Sequence, residues 1–64
     1  MTTKELYKKL YLLSVDISWV STLLMTWGER NRDGKMLNEG QLLESIAKTT
    51  KEWAEEGNKA CKDL

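Results

Sequence analysis

The chain has 64 residues, with ten basic and ten acidic side chains that cancel, no histidine, no proline and one cysteine. That is a single domain, of a size that buries only about 60% of the surface its unfolded chain exposes. Small folds compensate with disulfides, metals or self-association. Here the first two are all but excluded, and the usual zinc sites and His-based nucleophile systems go with them, so no catalytic residue, metal or cofactor is expected. Balanced charge gives no global pull toward nucleic acid or a membrane surface.

The first helix is signalled by a capping box, Thr2-x-x-Glu5, with Met1 and Leu6 placed as a hydrophobic staple. From there Leu6, Leu10, Leu13, Ile17, Val20, Leu24 and Trp27 recur at alternating spacings of four and three. This is the seam of a helix that packs lengthwise against another. A second apolar stripe, Leu12, Val15, Trp19 and Leu23, lies about 140° from the first on a 100°-per-residue wheel. One neighbouring helix does not cover both, so this stripe is the candidate surface for a partner macromolecule. A third face collects Tyr7, Tyr11, Ser14, Ser18, Ser21 and Met25. Its small hydroxyl residues admit a close helix neighbour, or line a ligand cleft.

Between Lys9 and Glu29 the only formal charge is Asp16, and the stretch is about the minimum length for crossing a bilayer. An Asp near mid-span costs about 2.5–3.5 kcal/mol on insertion scales. A buried helix of an oligomeric bundle explains the same composition without that cost, and a membrane role is not the expectation.

The helix is expected to span about residues 3–27 and to close at Gly28 in the left-handed conformation, or else to persist to Asp33 and end at Gly34. A turn follows over about 28–37. Within it, Glu29-x-Asn31-x-Asp33-Gly34 resembles the start of an EF-hand calcium loop. The twelfth position, where a bidentate Glu is required, is Gly40, so a charged helix–helix turn is expected instead.

The second helix is expected over about 38–62, from a second capping box, Asn38-x-x-Gln41, with Leu37 and Leu42 as its staple. Its weaker seam runs Leu43, Ile46, Thr50, Trp53, Gly57, Ala60 and Leu64, widened by Leu42, Ala47 and Ala54. Cys61 beside it reads as a small packing residue. The outer face carries opposite charges four apart, such as Glu44/Lys48 and Lys51/Glu55, which suit a solvated surface.

Two helices of equal length joined by a short turn imply an all-α antiparallel hairpin, residues 1–64 as one domain. Two such hairpins close into a symmetric four-helix bundle. The expected seam of that oligomer is Leu6, Leu10, Leu13, Ile17, Val20, Leu24 and Trp27 with Leu43, Ile46 and Trp53. Functionally this describes a non-enzymatic, cytoplasmic interaction protein, a regulator or inhibitor that self-associates and binds another protein through Leu12, Val15, Trp19 and Leu23. The alternative is a small-ligand binder, in which Tyr7, Tyr11, Ser14 and Ser18 hold a nucleotide-like molecule and Lys4 and Lys8 neutralise its phosphate. A further alternative is an RNA-binding hairpin dimer using Lys4, Lys8, Lys9, Arg30, Arg32 and Lys35, whose interspersed Glu5, Glu29 and Asp33 dilute the charge.

Overall fold

The structure, a computed structural model, describes residues 1–62; Leu64, expected at the end of the second seam, lies outside them. Two helices, α1 (Thr3–Arg30) and α2 (Gly34–Lys62), pack against each other along their length. Ser21 meets Gly40, Gly28 meets Leu37 and Tyr7 meets Gly57, so the pair is antiparallel.

The start of α1 is the expected cap: Thr2 is extended and its Oγ1 accepts from the Glu5 amide at 3.1 Å. Its end is not at Gly28. The helix continues a further turn to Arg30, and Arg32 takes the left-handed conformation, with φ of 51°. The Asp33 amide donates to the Gly28 carbonyl at 2.8 Å and the Arg32 amide to the Glu29 carbonyl at 3.3 Å. Those two bonds form a Schellman motif with Arg32 in the position usually held by glycine.

The start of α2 also differs from the expected one. Asp33 is the cap, accepting from the Met36 amide at 3.1 Å, and Asn38 lies inside the helix. Asp and Asn cap about equally well. Capping at Asp33 lets α2 begin one turn earlier, which leaves only residues 31–33 between the helices.

The contact between the helices is made by small side chains. On α1 the buried positions are Ser14, Ser21 and Gly28, each seven after the last. On α2 they are Gly40, Ala47, Thr50 and Ala54, with Cys61 continuing the seven-residue spacing half-buried. Ser21 and Ala54 are each 1% exposed, and among the described residues Ser21 is the largest side chain that is fully enclosed. The backbones touch as a result. A Cβ on Gly28 would lie 2.7 Å from the Leu37 nitrogen, and one on Gly40 would lie 2.9 Å from the Met25 nitrogen. The Ser21 hydroxyl donates across this spine to the Gly40 carbonyl at 2.7 Å.

The hairpin contact is therefore rotated by one residue from the apolar seam. Leu10, Ile17 and Leu24 flank it half-buried, whereas Leu6, Leu13, Val20 and Trp27 stay exposed. Two helices approach most closely where side chains are smallest. The larger apolar residues are pushed to one side.

Candidate interaction surface

The two long sides of the hairpin differ in chemistry. One carries two shallow grooves between the helices. The first, of about 620 Å³, is lined by Ser14, Val15, Ser18, Trp19 and Thr22 of α1 and by Glu44, Ala47, Lys48 and Lys51 of α2. The second, of about 370 Å³, is lined by Lys4, Tyr7, Lys8, Tyr11, Ala54, Glu55 and Asn58.

These grooves divide the residues expected to hold a ligand. Lys4, Tyr7, Lys8 and Tyr11 share one; Ser14 and Ser18 line the other. The hydroxyls are engaged locally as well, since Ser14 donates to the Tyr11 carbonyl and Thr22 to the Ser18 carbonyl. Ser14 and Ser21 serve close helix approach, the structural role open to this face. Among the described residues no group of three or more His, Cys, Asp or Glu is placed to hold a metal.

The grooves also fix which residues share the opposite side. Helical phase puts Ser18, Thr22, Lys48 and Lys51 on one flank of the buried spine. The other flank of each helix then faces the other way. On it α1 presents Leu6, Leu10, Leu13, Ile17, Val20, Leu24 and Trp27, and α2 presents Met36, Leu43, Ile46 and Trp53. The expected oligomer seam is thus gathered on one face. Its outer members are open to solvent, Trp53 at 59%. Near the turn the Arg30 guanidinium stacks 5.3 Å over the Trp27 ring.

The second stripe wraps the outer side of α1: Val15 and Trp19 edge the first groove, and Leu12 and Leu23 lie beyond it. Leu12, Val15, Trp19 and Leu23 are all exposed, Trp19 at 64%. No single-helix neighbour covers both this stripe and the seam. With so little of it buried, α1 is also long and apolar enough to cross a membrane by length and composition.

The small hydroxyl residues of α1 point to its half of the spine; the α2 half is the part that the apolar pattern passes over. Its signal was present in the seven-residue recurrence of Gly40, Ala47, Ala54 and Cys61, where small size rather than hydrophobicity repeats. Compared with protein families, curated proteins and solved structures, the chain matches none.

Proposed function

We propose that this protein is a non-enzymatic helical interaction module that self-associates through the Leu13–Val20–Ile46–Trp53 face. Its outer α1 stripe, centred on Trp19, is the contact for another macromolecule. The observation that carries this reading is the inversion of burial: alanine and serine fill the interior while leucine and tryptophan face solvent. Monomeric proteins rarely leave contiguous apolar patches larger than a few hundred Å².

The dimensions agree. The Cα envelope measures 49 × 16 × 11 Å, so its broad face matches the roughly 800 Å² per partner of a standard protein interface. Covering it with a second hairpin produces a four-helix bundle.

Two substitutions separate the surfaces. Val20→Asp, which would bury an unpaired carboxylate, abolishes association. Trp19→Ala leaves mass and helicity unchanged. A Trp19→Ala protein that dissociates or unfolds would place the stripe in the core and remove the proposed partner contact. A second reading, α1 inserted in a bilayer, draws on the length and exposure of that helix. It requires that the purified chain stay in solution only with detergent or lipid.

A further inference from the structure

Two facing hairpins related by a twofold axis have two possible arrangements. With the axis along the helices, both turns lie at one end and α1 faces α2 of the second copy. With the axis across the helices, the turns lie at opposite ends and α1 faces α1. Both cover the same apolar face. The residues at its rim distinguish them.

On α1 the rim one step beyond Leu13 and Val20 is Lys9, Asp16 and Leu23, seven apart. On α2 the corresponding rim is Leu42, Thr49 and Glu56. The contacts of Tyr7 with Gly57 and Gly28 with Leu37 set the levels of the hairpin, so that a residue of α1 and one of α2 stand side by side when their numbers add to about 64.

An axis along the helices preserves those levels between copies. It sets Lys9 beside Glu56, Asp16 beside Thr49 and Leu23 beside Leu42 of the second copy, matching charge with opposite charge and apolar with apolar. Glu39 then stands level with Trp27, whose ring carries Arg30. The crosswise axis reverses the order. With that axis midway along the helices, which gives the fullest overlap, Asp16 meets Asp16 at the centre of the interface, Lys9 meets Leu23, and Leu42 meets Glu56. Like charges directly opposed are destabilising, and matched potentials set register and orientation.

We infer that the second copy binds with both turns at the same end, each α1 lying against the other copy's α2 with Lys9 paired to Glu56. This rests on the self-association proposed above, and the following test separates the two. Gly34 is the first residue of α2, beside the turn, with nothing within 4 Å of a Cβ placed there, so Gly34→Cys in a Cys61→Ser chain carries a nitroxide label without disturbing the fold.

Pulsed electron–electron spin resonance on the labelled protein, with its mass measured in the same buffer, is expected to give a dimer with a label separation of roughly 15–25 Å, set by helix spacings of 8–10 Å. A dimer with labels beyond about 40 Å, the length of the helices, overturns this arrangement while self-association stands. A monomer overturns both. Lys9→Glu is expected to raise the dimer dissociation constant about 5-fold, and adding Glu56→Lys to restore it. A double variant as weak as the single one contradicts the pairing.

Discussion

At the residue scale, the four glycines do different work, and two of them predict opposite responses to the same change. Alanine is better than glycine in a helix by about 1 kcal/mol. At Gly34, in open space, that preference is unopposed and Gly34→Ala stabilises by about 0.5–1 kcal/mol. At Gly28 the new methyl meets the Leu37 backbone, which has no side-chain freedom to yield. Overpacking of this kind costs about 1–3 kcal/mol, so the clash outweighs the propensity and Gly28→Ala destabilises. Urea melts at one fixed protein concentration check both signs.

Arg32 supplies a third case, since its φ of 51° places a side chain where only glycine is comfortable. Left-handed backbone costs a non-glycine residue about 1–2 kcal/mol, more than the 0.5–1 kcal/mol of added chain entropy that glycine brings. Arg32→Gly is expected to raise the melting midpoint. A lowered midpoint would mean that the arginine side chain contributes more than the Schellman geometry accounts for.

At the element scale, neighbouring positions of α2 have different surroundings. Ala54, at 1% exposure, is in the spine; Trp53 is on the open face. Ala54→Leu forces the helices apart, at about 1–3 kcal/mol, and shows as reduced helicity by circular dichroism. Trp53→Ala keeps the helices paired and instead weakens association, seen as a higher dissociation constant in sedimentation. Equal effects of the two on helicity would contradict the separation.

Much of this architecture was legible in the sequence. The Thr2 cap, two long helices and their antiparallel pairing follow from capping chemistry and periodicity. The boundary of α2 was not, because Asp33 and Asn38 are both competent caps and only the docked backbone decides between them. The inner face was half legible. Serines at spacings of four and three mark α1 as open to close approach, whereas the apolar repeat points to the residues beside them. Of the residues read as a ligand set, Lys4, Tyr7, Lys8 and Tyr11 line one groove. Ser14 and Ser18 line the other groove, nearer the turn.

At the scale of the whole molecule, the pair of helices has no large apolar side chain fully enclosed among its described residues. Its hydrophobic surface is organised rather than scattered: one side of the hairpin carries the two grooves, edged by Tyr7, Tyr11, Trp19 and four lysines, and the other is leucine- and tryptophan-rich. Net charge of zero puts no long-range repulsion between copies. Under the proposed self-association, stability and association are one quantity, and the melting temperature should rise with protein concentration.

The most direct test is sedimentation equilibrium of the unmodified chain at micromolar concentration in detergent-free buffer. Self-association through the apolar face predicts twice the chain mass of 7.4 kDa, or a higher even multiple. A folded, cooperatively melting species of 7.4 kDa would contradict it.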